Sequence, residues 1–126
     1  MNDTNQIDLS ALQNLLDTVG GDWSFLAELA EEYFNNTPRL LEEIKSGLAA
    51  SDAALVRRAA HSLKSNSSSF GAMALSELCK QVEYAARDGN LGGLSESLAR
   101  IEEGYAQAIE ILRAEIARGV ASSNAS

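Results

Sequence analysis

The sequence predicts an all-α domain, an antiparallel up-down four-helix bundle with a short extra helix at the N-terminus. Three observations carry this expectation. Apolar residues recur at three- and four-residue steps in four successive long segments, the spacing of helices with one buried face. Short links join the segments, so consecutive helices should pack side by side in opposite directions. The chain holds one proline and only 6% aromatic residues, whereas a β-sandwich would need turn signals between many strands.

Residues 1–6 are polar and read as a frayed arm. Residues 7–19 read as the short helix. Asp8 is its N-cap, because a carboxylate can accept the N–H groups left unpaired at a helix start. Leu9, Leu12, Leu15, Leu16 and Val19 form its apolar side, and Gly20-Gly21 ends it. Asp22 caps a longer segment carrying Leu26, Ala30, Tyr33, Phe34, Leu40, Leu41, Ile44 and Leu48. Pro38 falls inside that pattern, where it removes one backbone hydrogen bond and should kink the helix. The apolar register continues in phase across it, so one bent helix is expected, with two helices as the alternative.

The third helix begins at Ser51 or Asp52 and runs to Ser69, with Phe70-Gly71 as the turn and glycine free to take a positive φ. Residues 72–87 follow, with Leu75, Leu78, Cys79, Val82 and Ala86 inward, and residues 88–93 break the pattern. The last helix, 94–118, carries Leu94, Leu98, Ile101, Tyr105, Ala108, Leu112 and Ile116 in a near-heptad. Residues 119–126 are small and polar and are expected to be a disordered tail, so the ordered part of the single 1–126 domain is 7–118. Trp23 and Phe25 are expected to plug one end of the bundle. Cys79, on an apolar stripe, reads as core packing; as the one cysteine it can form no intrachain disulfide.

The chain's 126 residues suffice for one core. A 45% hydrophobic content with mean hydropathy of −0.13 excludes wholesale disorder. No apolar run approaches the ~20 residues needed to span a bilayer. The start of the chain lacks the basic and apolar regions of a secretory signal. Cytoplasmic residence is therefore expected, and the initiating Met1 with polar ends fits a free protein. The net charge of −8 argues against nucleic acid, whose phosphates demand a basic surface. The charge is uneven, however. Residues 53–76 hold Arg57, Arg58 and Lys64 and no acid, a segment of +3 that leaves −11 on the remainder.

The one histidine lies in that segment, within Ala59-Ala60-His61-Ser62-Leu63-Lys64-Ser65-Asn66-Ser67-Ser68-Ser69-Phe70-Gly71. On a helix turning about 100° per residue, Val56, Ala59, Ala60, Leu63 and Ser67 make a buried stripe. His61 points roughly 150° away from the centre of that stripe. Its neighbours on the wheel are Arg57, Arg58, Lys64, Ser65 and Ser68. An imidazole exposed among cations and hydroxyls is placed to meet an anion. Free imidazole titrates near about 6.5, so an exposed ring is largely neutral and nucleophilic at pH 7. Its nitrogen can attack an acyl phosphate in line, a transfer that rests on positioning and charge neutralisation. Lys64, one turn on, is placed to attract the phosphoryl oxygens. Ser65 and Ser68 can donate hydrogen bonds to them, and Arg57 and Arg58 extend the cationic surround.

This run resembles the signature of histidine-containing phosphotransfer (HPt) domains, roughly His-x-x-Lys-Gly-x-Ser-x-x-x-Gly followed by a second amphipathic helix. His61, Lys64, Ser67 and Gly71 match it, as does the continuation Leu75, Leu78, Cys79 and Glu83. Ser65 departs from it, standing where the family usually has a glycine that leaves bare backbone for a partner's approach. The motif and its following helix cover residues 55–88. The resemblance implies the same bundle, His61 as the residue phosphorylated on Nε2, and Glu83 as the group that holds Nδ1–H and orients the ring. It also implies a phosphorelay intermediate, taking its phosphoryl group from an aspartyl-phosphate receiver domain and passing it to another. Its partners would be response-regulator receiver domains and a hybrid histidine kinase, met by a docking face of apolar and small residues around His61, extended by the first helix.

No cofactor is expected on the chain. Magnesium would come with the receiver, since one histidine without an acidic cluster beside it cannot build a metal cage. The chain shows no Gly-rich nucleotide loop, so it is expected to be a carrier, acting as a monomer, and not an autokinase or other enzyme. Two readings compete with the relay. One is a non-catalytic helical adaptor that binds a receiver or kinase without phosphotransfer. The other is a hydrolase using His61 as acid or base; it ranks last, because only Glu83 is on offer as a second group, on a face expected to be convex.

Overall fold

Carboxylates cap three of the helix starts. Asp8 Oδ1 accepts the N–H groups of Ser10 and Ala11 at 3.0 and 3.4 Å and opens α1, Leu9–Thr18. Asp22 accepts from the Phe25 N–H at 3.1 Å and opens α2, Trp23–Ala49. Asp52 does the same for Leu55 at 3.1 Å and opens α3, Ala53–Ser69. The other helices are α4, Met73–Arg87, and α5, Leu94–Asn124. This computed structural model describes residues 7–124, and no strand occurs among them. The expected arm at 1–6 lies outside the described residues.

Pro38 sits within the continuous α2, so the one-helix expectation is met and the two-helix alternative is not. Proline has no N–H to give the carbonyl four residues back, which is that of Phe34. That carbonyl instead accepts from the Tyr105 hydroxyl of α5 at 3.3 Å. Next to it, the Thr37 hydroxyl donates to the Tyr33 carbonyl at 2.7 Å. The break in the helical ladder is thus met from within the fold, and it ties α2 to α5.

The long helices neighbour one another in a closed ring, α2 beside α3, α3 beside α4, α4 beside α5 and α5 beside α2, with the backbones of diagonal helices farther apart among the described residues. That is the up-down bundle predicted from periodicity. The α3 stripe of Val56, Ala59, Ala60, Leu63 and Ser67 is buried in full. Ser67, the polar member, shares a 2.7 Å hydrogen bond with the Tyr33 hydroxyl, as a buried hydroxyl must to offset its desolvation. Tyr33 stacks on Phe70 at 5.1 Å between centroids and meets Tyr105 edge-on at 5.8 Å. Cys79 is fully buried, and burial pushes its thiol up to about 12.

Three expectations need correction. α5 runs to Asn124, so at least residues 119–124 of the expected disordered tail are helical. Gly119 is the reason: it is buried under the Trp23 ring, which a Cβ at this position would overlap. Backbone and indole pack directly, and the helix is held past the point where its apolar side chains become sparse. Phe25 is 45% exposed, so the end plug is Trp23 alone. Leu9, assigned to the apolar side of α1, is 55% exposed, because it sits in the first turn and α1 touches only α2 and α3.

The α3–α4 turn fixes where α1 begins. Gly71 takes φ +82°, and its carbonyl accepts the Asp8 N–H at 2.8 Å. A Cβ at Gly71 would lie 2.5 Å from the Asp8 carbonyl oxygen and 3.2 Å from Ile7 Cγ2. Gly71→Ala therefore combines a left-handed backbone with an overpacked contact and should destabilise the domain by roughly 2–4 kcal/mol. Urea denaturation checks this, the expected result being a lower midpoint with an unchanged slope.

Candidate functional site

The site is built on α3 and α4, the pair joined by the Phe70-Gly71 turn. His61 lies mid-helix, opposite the buried stripe, so the packing of Ala60 and Leu63 fixes the backbone that carries it. The Ser76 hydroxyl donates to the Lys64 carbonyl at 3.1 Å and pins α4 against α3. Two turns further along α4, Glu83 reaches the outer face of α3.

Glu83 joins the two motif residues. Its Oε2 lies 2.9 Å from His61 Nδ1, and its Oε1 lies 2.7 Å from Lys64 Nζ. No other group among the described residues partners Oε1. The exposures are graded: the His61 side chain is 59% accessible, that of Glu83 only 11%. Burial alone would raise the Glu83 carboxyl. The bonds from Lys64 and His61 outweigh it and hold the group below its ordinary range. The same carboxylate raises the Lys64 ammonium above its own. Glu83 is therefore an anion at neutral pH, and an ionised carboxylate can only accept hydrogen bonds. Nδ1 must then carry the proton of a neutral His61 ring, which leaves the Nε2 lone pair free on the exposed side.

Beside the ring is an open depression of about 390 Å³ lined by Arg57, Arg58, His61, Ser62 and Glu83. The depression is shallow and open, an indentation in the face that the sequence predicts to be convex. No carboxylate among the described residues pairs with Arg57 or Arg58. Ser65 and Ser68 are not in its lining. Ser65 is exposed on the helix surface, and the Ser68 hydroxyl lies 3.9 Å from Met73 Sδ, near the turn. The structure thus brings His61, Lys64 and Glu83 into direct contact and places the two arginines in the hollow. Sequence reasoning passed over Ser62 and Ser76. Ser62 adjoins His61 in the chain, but the roles of both depend on how α3 and α4 meet. No helix here is long and apolar enough to cross a membrane, and no cluster of three potential metal-ligating side chains occurs among the described residues.

Two solved structures resemble this one. Histidine-containing phosphotransfer protein B (HptB) from Pseudomonas aeruginosa PAO1 is 27% identical, with a TM-score of 0.81 over 89% of this chain and 95% of that one. The HPT domain of an Hpt sensor hybrid histidine kinase from Shewanella is 16% identical, with a TM-score of 0.65 over 88% of this chain and 97% of that one. The second likeness is one of fold alone. No curated protein matches the chain. Residues 28–115 match the sequence model of the Hpt domain, a span that holds most of α2, all of α3 and α4, and the first two-thirds of α5. With an exposed histidine anchored to a buried carboxylate at its centre, that match makes this chain a member of the Hpt domain family.

Proposed function

We infer that the protein is a phosphocarrier of two-component signalling that takes a phosphoryl group on His61 Nε2 from an aspartyl-phosphate receiver domain and passes it to another receiver. Family membership supports histidine phosphotransfer in a phosphorelay. The observation that carries the residue assignment is the Nδ1 contact to Glu83, which in the neutral ring puts the lone pair on the opposite nitrogen of a mostly exposed side chain.

In the step proposed, the Nε2 lone pair attacks phosphorus while the bond from phosphorus to the receiver's carboxylate oxygen breaks. The aspartate leaves as a carboxylate and needs no proton. Nδ1 keeps its proton, and Glu83 balances the positive charge that develops on the ring. Lys64, tied to Glu83 in the free chain and one helical turn from His61, supplies a cation for the phosphoryl oxygens in this scheme. Arg57, Arg58 and Ser62 meet those oxygens or the partner from the hollow, and Ser65 and Ser68 line the approach on the other side. Magnesium belongs to the receiver's carboxylates in this scheme, and a hybrid histidine kinase stands upstream. One copy of the chain carries the whole constellation, so a monomer suffices.

The test is transfer from a panel of radiolabelled, phosphorylated receiver domains to the purified chain. Label that is acid-labile and base-stable should appear on the chain within the mixing experiment. Receivers that bind the chain but never label it would overturn the relay and leave an adaptor.

A further inference from the structure

Arg57 and Arg58 are the cations of the site that the free chain leaves uncommitted. Both are exposed on α3, and neither guanidinium has a hydrogen bond, an ion pair or an aromatic ring as partner among the described residues. Lys64, by contrast, shares its charge with Glu83 at 2.7 Å. The arginines stand four and three residues before His61, one turn back on the helix. A helical side chain leans toward the N-terminus, so His61 leans over the turn that carries them. All three line the depression of about 390 Å³, with Ser62 and Glu83.

Arg57, Arg58 and Lys64 bring three positive charges and Glu83 one negative, which leaves two positive charges around a neutral ring. A phosphoryl group carries roughly two negative charges at neutral pH. Residues 53–76 hold no acid that could compete for the guanidiniums. Glu83, the one carboxylate in the lining, is already engaged through both oxygens, one with His61 and one with Lys64. A guanidinium also presents paired N–H donors in a fork that matches phosphoryl oxygens. Charge and donor geometry thus both suit an anion of this kind on the ring.

We propose that Arg57 and Arg58 form a seat for the phosphoryl group carried on His61 Nε2, and that this seat stabilises the phosphorylated chain itself and so sets the balance of transfer toward the carrier. The seat rests on the phosphotransfer reading and decides what the two arginines do within it. They hold the chain's own phosphoryl oxygens after the donor has left and before the acceptor arrives. Thermodynamics separates this role from docking. The overall equilibrium between phosphorylated receiver and phosphorylated chain is fixed by the separated species alone. Contacts made only within the complex act on both directions alike and cancel, whereas a contact within the phosphorylated chain favours one side.

Rapid-quench transfer in both directions, between the chain and the receiver that labels it fastest, gives that equilibrium constant as a ratio of second-order rates. Arg57→Gln/Arg58→Gln should shift it toward the receiver by roughly ten-fold, since charge-assisted hydrogen bonds are lost from the phosphorylated chain only. Arg57→Gln and Arg58→Gln alone should each shift it the same way by less, which keeps the test sound if the double variant folds poorly. An equilibrium constant equal to that of wild type in all three variants would overturn the seat. Forward and reverse rates that fall together, with their ratio unchanged, would give the arginines to receiver contact instead. A wild-type chain that no receiver labels would overturn the phosphotransfer reading itself, a distinguishable result.

Discussion

His61→Gln should take no label from any phosphorylated receiver domain while folding as well as the wild type. An amide nitrogen has its lone pair delocalised into the carbonyl, so glutamine offers no nucleophile where Nε2 stood. No other histidine exists in the chain to replace it. The fold should not notice the change, because the side chain is mostly exposed and the buried stripe of α3 lies on the opposite side. A stability difference within about 0.5 kcal/mol is expected, as for surface substitutions generally. Glu83 keeps its contact to Lys64, and the glutamine amide can donate to Oε2. Gel-based phosphotransfer and urea denaturation on the same preparation check both halves. Label on His61→Gln would place the acceptor elsewhere. Receiver binding that survives in the variant, alongside label on the wild type, would separate docking from chemistry.

The fold was legible wherever burial follows period. The α3 stripe and the mid-helix exposure of His61 come directly from 100° steps along the helix. Asp8, Asp22 and Asp52 announce their helices, because a carboxylate before an apolar-periodic run has few better uses. Gly71 was visible as a helix stop. Its second task, leaving room for the Asp8 backbone, was not, since residues 8 and 71 meet only through the tertiary fold. The end of α5 was hidden for the same reason: Gly119 reads as a breaker until the Trp23 ring is seen lying on it. Within the site, the chain could suggest that Glu83 reaches His61 only through resemblance to a family. Its bond to Lys64 needed the distance between two helices.

Glu83→Gln should slow phosphotransfer about 10–100-fold without abolishing it, by analogy with the loss when the carboxylate that orients a metal-bound histidine is removed. The amide has one acceptor oxygen where the carboxylate has two. If that oxygen serves His61 Nδ1–H, the amide NH₂ is turned toward the Lys64 ammonium, donor against donor. If it serves Lys64, the His61 ring loses its acceptor and the tautomer with hydrogen on Nε2 becomes accessible, which blocks the nucleophile. Either way the arrangement at 2.9 and 2.7 Å cannot persist whole. The same substitution should also change the response to acid. Glu83 is held below its ordinary 4.5, so its contribution to stability is present above that value and is lost as pH falls through the lower folded-state value. Lys64 is held above its ordinary 10.5, so its share persists until pH rises beyond that. The ion pair is therefore intact across the whole neutral range. Wild type should be the more stable protein at pH 7, and its margin over Glu83→Gln should shrink as pH drops below 4.5. Denaturant titrations at a series of pH values measure that margin. One that stayed constant down to pH 3 would mean that Glu83 gains nothing from its two partners in the folded state, and the account of how His61 is oriented would fail with it.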